Sequence, residues 1–396
     1  MKRVFILGAV LLILLILLGR QMQPNETTYG TEDSTQITDD NTQATVENTL
    51  AATESTGPSF EAAFDSAVLL EGMTTAEKVG QLFLARCPES NALQDITDYH
   101  LGGYILFGRD FRFGTKTSVK NTIAEYQQAA TIPLLIAVDE EGGTVTRVSS
   151  YWQYRLTKFP SPRDLYREGG LELIMQTEAE KCTLLKSLGI NVNMAPVCDI
   201  TTDPKAFMYD RSLGQGPEET GSFASGVVKV MDQFQMGSVL KHFPGYGNNT
   251  DTHTGVAVDN RTLAELEAAD LLPFAAGAEA GCGAILMSHT FVNCLDREYP
   301  ASLSAAAHDY LRQKIGFNGV IVTDDLAMQA ITDLYGADEA AILAVLAGND
   351  LLCCSEYQIQ YEAVLNAVQS GRIPEATLDL AVIRVLEWKH QLGLIE

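Results

Sequence analysis

The sequence lacks the phosphate-binding signatures of nucleotide-dependent proteins. It has no Walker-type glycine-rich loop and no Gly-x-Gly-x-x-Gly dinucleotide fingerprint. Basic charge is also scarce: 27 Lys and Arg stand against 51 Asp and Glu, a formal net charge of −24. An acidic surface repels phosphate backbones, which argues against a nucleic-acid partner. The seven cysteines (Cys87, Cys182, Cys198, Cys282, Cys294, Cys353 and Cys354) are odd in number and form no disulfide framework or structural zinc pattern. Most lie in apolar runs such as "MAPVCDI" and "NDLLCC", so they read as buried free thiols. No cofactor is implied.

One unbroken apolar run, Val4 to Leu18, follows Lys2 and Arg3 at the start of the chain. A basic end before such a run is an export signal. It is short for a spanning helix, which needs about 20 residues. No small-x-small cleavage site follows, so residues 1–20 read as an uncleaved anchor, with a cleaved signal peptide as the alternative. Residues 21–58 are rich in Thr, Asn, Asp, Glu and Ser and poor in large apolar side chains. Such a segment cannot bury enough surface to order itself and reads as a disordered linker. The folded part is then 59–396, exported and bound to the membrane only through the N-terminal segment. With 46% hydrophobic residues overall, the chain can bury a large core. Oligomeric state is open, with a monomer the simplest expectation.

Beyond Glu61, short apolar runs alternate with helical patterns. The runs are "QLFLAR", "GGYILFG", "PLLIAVDEEGG", "INVNMAPVCDI", "GSVLKHFPG", "GAILMSH", "GVIVTDD" and "DLLCC". Stretches such as "SVKNTIAEYQQAA", "ETGSFASGVVKVMDQF", "TLAELEAADLLPFAAGAEA" and "DEAAILAVLAG" lie between them. Alternation of this kind means parallel strands joined by crossover helices. Eight candidate strands predict an α/β fold of the TIM-like (β/α)8 barrel type, with a doubly wound open sheet as the alternative.

Asp139, Asp199, His242, His289 and Asp324 each stand where an apolar run ends. The carboxyl ends of barrel strands converge on one face, so these groups are expected to share a pocket. In "IVTDDLAM", Asp324 is nearer the strand end and suits a nucleophile, while Asp325 or Thr323 suits a helix cap. In "KHFPGYGNNTDTHTG", Lys241 and His242 end a strand and a glycine-rich loop carries Asp251 and His253. An Asp-x-His pair lets a carboxylate orient an imidazole for acid and base work, although alone it is also an ordinary surface turn. His242, Asp251, His253 and His289 could ligate a metal, but no pair has the helical spacing of zinc motifs. In "VDEEGGTVTR", Asp139 and Arg147 flank a tight turn and suit hydroxyl recognition or a plain rim salt bridge. Arg211, in "YDRSLGQGPEET", precedes a helix start.

Together these segments resemble the β-N-acetylglucosaminidases of glycoside hydrolase family 3, from about Glu71 to the C-terminus. The motifs are "MTTAEKVGQLF", "GGYILFGRDF", "AVDEEGGTVTR", "NMAPVCDI", "DRSLG", "KHFPGYG", "DTH" and "VTDDLAM", in the family's order. The resemblance implies a nucleophile at Asp324, a general acid/base at His253 and a partner for it at Asp251. It implies that Asp139, Arg147, Arg211, Lys241 and His242 hold N-acetylglucosamine in the terminal subsite. The implied substrate is an N-acetylglucosamine-containing glycan, such as a peptidoglycan fragment. Departures are Tyr246 in place of a second histidine, "DTH" for the common "DSH", and Thr144 in place of an arginine. A phosphorylase of the same fold, a substrate-assisted hydrolase and an inactive wall-binding barrel are the rival readings.

Overall fold

A computed structural model of the protein describes residues 64–247, 251–252 and 255–396. The expected anchor or signal at 1–20 and the linker at 21–58 lie outside the described residues. Among the described residues, no helix is long and apolar enough to cross a membrane.

The apolar runs form strands because β-branched and aliphatic side chains suit a sheet buried on both faces. In chain order they are β1 (Phe83–Arg86), β2 (Gly103–Leu106), β3 (Leu135–Val138), β4 (Val192–Asn193), β5 (Gly237–Phe243), β6 (Ala257–Asp259), β7 (Ala284–Met287), β8 (Thr290–Val292), β9 (Val320–Thr323) and β10 (Leu352–Cys354). Eight of them build one parallel sheet in the order β10-β1-β2-β3-β4-β5-β7-β9. The two ends of that order meet at a parallel bridge between Val322 and Leu351, so the sheet curls into a nearly closed barrel. Asp350 pins this seam. Its buried carboxylate accepts from the Ile321 amide at 2.8 Å and from Arg312 and Arg384 at 2.5 and 2.9 Å.

Side chains alternate across the sheet with period two. Leu84, Ile105, Leu135, Ala137, Val239 and Val322 fill the barrel interior. Phe83, Tyr104, Ile136 and Val138 face outward into the main core shared with the helices. The helices include α1 (Lys116–Ala129), α2 (Pro162–Leu188), α3 (Pro217–Gln233), α4 (Leu271–Glu279), α5 (Ala305–Gln313), α6 (Ala337–Ala347), α7 (Tyr357–Gln369) and α8 (Glu375–Gln391). From α8, Trp388 packs into the interior cluster together with Val385 and Leu392. A Cβ on Gly283, which leads into β7, would lie 1.9 Å from Trp388 Nε1, so only glycine fits. Trp388 therefore plugs the amino end of the barrel and leaves the carboxyl end as the open face.

Two local expectations are corrected. The long run around "INVNMAPVCDI" gives a strand of only two residues, because Pro196 lacks the amide that would continue the ladder. Pairing resumes at the Val197–Lys241 bridge. The helical pattern at 262–280 splits into Leu263–Ala268 and α4, since Pro273 is tolerated only in a first helical turn. β6 and β8 form a small parallel pair that the sequence reading did not foresee. All seven cysteines are free; six are buried and Cys294 is half-buried, as the apolar runs implied.

Candidate active site

The open face of the barrel holds a cleft with a cavity volume of about 870 Å³. Asp139, Arg147, Arg211, Lys241, His242, Asp251 and Asp324 all line it, beside the top interior side chains Met194, Leu286 and Cys353. Seven of the eight residues to which the family resemblance gave a role thus meet in one place. The eighth, His253, lies outside the described residues.

The turn after β3 is shaped by Gly142 and Gly143, with φ of 105° and 64°. A Cβ on Gly142 would lie 2.2 Å from the Pro160 carbonyl oxygen, so the turn admits nothing larger. Inside it, the buried Glu140 carboxylate accepts from the amides of Arg147 and Val148 at 2.8 and 2.7 Å, and from Ser149. A carboxylate satisfied by backbone donors fixes the chain and turns Arg147 toward Asp139, with Nη2 3.6 Å from Oδ2.

Two carboxylates and two cations lock together at the base of the cleft. Lys241 Nζ lies 2.7 Å from both Asp139 Oδ1 and Glu141 Oε1. Arg211 donates to Glu141 in a bidentate pair at 3.0 and 2.7 Å. Burial acts to raise the Glu141 carboxyl, but the Arg211 guanidinium and the Lys241 ammonium outweigh it and hold the group well below the ordinary range. Burial acts against the Lys241 charge, and Asp139 and Glu141 overcome that and raise its pKa. Both cations therefore stay charged in a nearly dry place.

Arg211 Nη2 also lies 3.2 Å from His242 Nε2. Arginine can only donate, so Nε2 is the acceptor and the His242 proton sits on Nδ1. That nitrogen donates to Asp199 Oδ2 at 2.8 Å. Asp199 also accepts from the Tyr246 amide at 2.7 Å. It holds His242 and the loop root from behind, and it does not line the cleft. His289 is likewise a support: it is fully buried and bonded to the Ser302 hydroxyl and the Asp325 carbonyl at 2.7 and 2.9 Å. The expectation that these two groups face the pocket is corrected, because each is consumed by partners that position the lining residues.

Asp324 follows β9. Its amide donates to the Met287 carbonyl at 3.1 Å, and its Oδ1 accepts from the Asp325 amide at 2.9 Å. Asp325, which also lines the cleft, accepts from the Ala327 amide at 3.0 Å and from the Ser355 hydroxyl at 2.6 Å. The cleft position expected of Asp324 is found, whereas Asp325 closes a local turn and the next helix, Gln329–Thr332, starts after Met328. The loop with Asp251 is tied at its roots. Tyr246, where the family often has histidine, is buried and bonded through its hydroxyl to Thr252. Arg261 joins Asp259 and Asp270 at 2.6 Å each and reaches the Gly245 carbonyl at 3.4 Å.

Sequence reading missed Glu141, whose signal was only its place two residues beyond a strand-ending aspartate. It also missed Arg86, a cleft residue whose buried Nε has no hydrogen-bond partner among the described residues and whose guanidinium stacks 4.5 Å from the Phe107 centroid.

A carboxylate at a barrel strand end thus shares one cleft with a set of cations and acids. The model of the glycosyl hydrolase family 3 N-terminal domain matches residues 74–388. The chain belongs to glycoside hydrolase family 3. It is 30% identical over 330 residues to the β-hexosaminidase LpqI of Mycobacterium tuberculosis, across 80% of this chain and 83% of that protein. It is 33% identical over 304 residues to a β-hexosaminidase of Xylella fastidiosa, across 75% of this chain and 89% of the relative. A solved family 3 β-N-acetylglucosaminidase from Paenibacillus sp. superposes with a TM-score of 0.76 at 32% identity, covering 81% of this chain and 63% of that one. This family 3 chain is a glycoside hydrolase, as its sequence motifs implied.

Proposed function

We propose that the chain is a retaining exo-β-N-acetylglucosaminidase. The observation that carries this reading is the meeting of Asp324, Asp251 and the Asp139–Lys241–Glu141–Arg211–His242 network around one cleft. The network presents fixed donors and acceptors to the hydroxyls and acetamide of a terminal sugar, while Asp324 faces its anomeric carbon. Asp324 attacks that carbon as His253, oriented by Asp251, protonates the departing oxygen. The glycosidic bond breaks and a covalent glycosyl-enzyme forms through an oxocarbenium-like transition state. His253, now neutral, takes a proton from water as that water releases the sugar with net retention. An imidazole with a reference pKa of about 6.5 suits exchange in both directions near neutral pH.

The basic-then-apolar start of the sequence supports an exported enzyme, for which peptidoglycan fragments are the fitting substrates. The reading is tested with aryl β-N-acetylglucosaminide, β-glucoside and β-galactoside substrates. Preferential hydrolysis of the first supports it; no turnover of the first, in a folded preparation, overturns it.

A further inference from the structure

The three most exposed large apolar side chains among the described residues lie on two adjoining segments. Leu156 is 90% exposed, Phe113 89% and Trp152 78%; the next, Val68, is 66%. The segments that carry them are bonded to one another. Tyr154 donates through its hydroxyl to the Phe111 carbonyl at 2.9 Å, and the Gln153 amide reaches the Arg112 carbonyl at 3.2 Å. Water-exposed Trp, Phe and Leu grouped in this way have no packing role in the fold and mark an interaction surface.

The charge around them is the reverse of the rest of the molecule. Residues 108–120 and 150–158 carry Arg109, Arg112, Lys116, Lys120, Arg155 and Lys158 against one acid, Asp110. The whole chain has 51 acids and 27 bases. Glu89 neutralises Arg109, and Glu180 neutralises Arg155, both at 3.0 Å. Arg112 lies over the Phe113 ring, 5.1 Å from its centroid, and Lys158 donates to the Gly143 carbonyl at 2.7 Å. Lys116 and Lys120 are exposed on α1.

We propose that this patch docks on an anionic phospholipid surface, with Phe113, Trp152 and Leu156 entering the headgroup layer and Arg112, Lys116, Lys120 and Lys158 meeting lipid phosphates. Amphipathic aromatic rings rimmed by basic side chains are what the membrane interface selects. Charge complementarity favours an anionic partner, since these two segments carry six bases against one acid on a chain of net −24. The patch begins close to the cleft: Phe113 is six residues from Phe107, which lines it, and six extended residues span at most about 21 Å. This proposal stands apart from the hydrolase reading.

Tryptophan fluorescence tests it on the full chain. Trp152 is one of only two tryptophans, and the other, Trp388, is 4% exposed inside the barrel plug. The difference between the wild type and Trp152→Phe isolates the Trp152 signal. In phosphatidylglycerol vesicles with brominated acyl chains, that signal is expected to shift blue and to be quenched, and to respond far less in phosphatidylcholine vesicles. The double variant Arg112→Glu/Lys116→Glu is expected to weaken the response at least tenfold, at about fivefold per cation removed. Hydrolysis of a soluble aryl substrate stays unchanged in it, which separates a failure here from a failure of the assigned activity. Either of two results overturns the proposal: a Trp152 signal that stays solvent-like on brominated anionic vesicles, or one that responds instead to soluble glycan fragments, which would make the patch a sugar-binding surface.

Discussion

Glu141 Oε1 lies 2.7 Å from Lys241 Nζ, and Arg211 reaches the same oxygen at 2.7 Å. Glu141 is not among the residues lining the cleft; it holds two buried cations that are. Removing one partner of a buried ion pair typically costs about 3–5 kcal/mol. Glu141→Ala is therefore expected to lose stability on that order in urea unfolding. N-Acetylglucosamine should also bind more weakly to it as a competitive inhibitor. The folded carboxyl is held below its unfolded value of about 4.3. Its stabilisation is thus full above that pH and is lost as pH falls toward the folded value. A variant that matches the wild type at pH 7 in both measurements would remove Glu141 from this role.

The barrel was legible because each of its eight strands is a compact apolar run, and a parallel strand buried on both faces has no other sequence signature. Cleft residues were legible where they end such runs, as at Asp139, Lys241 and Asp324. What stayed hidden depends on partners distant in sequence. Asp199 and His289 look like pocket residues until Tyr246, Ser302 and Asp325 are seen to occupy them. Glu141 sits in a glycine turn, and only folding brings Arg211, 70 residues away, against it. The split at Asp270 and the brevity of β4 follow from single prolines whose effect a periodic pattern does not register.

Lys389 gives a pH prediction. It is buried in α8, with Nζ donating to Gln81 Oε1 at 2.7 Å, and burial lowers its pKa to about 7. A depressed folded pKa gives stability that is full above the unfolded value, about 10.4, and is lost as pH falls toward 7. Lys389→Met is expected to abolish that loss, on the order of a few kcal/mol. The readout is the difference in unfolding free energy between wild type and variant, which cancels the titration of the cysteines. It should widen in the variant's favour from pH 10 to pH 7. A difference that does not change with pH would show that Lys389 stays charged in the fold.

A chain lacking the first 58 residues is expected to be soluble and to keep its kcat on an aryl N-acetylglucosaminide. Every motif lies beyond Glu71, and residues 62–396 form one compact unit. An insoluble or inactive product would place part of the catalytic domain before residue 59.

If His253 is the general acid, its loss should hurt most when the leaving group is poor. His253→Ala is expected to lose about 10²–10⁴-fold on a natural disaccharide and much less on an activated aryl substrate. Asp251→Ala should follow the same trend more weakly, since the imidazole remains but is less well oriented. Rates across a series of leaving groups check this. Equal losses on good and poor leaving groups would give His253 a binding role instead.

Asp324 as the nucleophile implies a covalent glycosyl-enzyme that can be trapped. A fluorinated N-acetylglucosaminyl donor slows breakdown of a glycosyl-enzyme more than its formation, so the adduct accumulates. Peptide mass spectrometry of the trapped enzyme is predicted to find one N-acetylglucosaminyl-derived mass on the peptide containing Asp324, and none on Asp324→Ala. Turnover of the donor with no adduct, or an adduct on another residue, would contradict it.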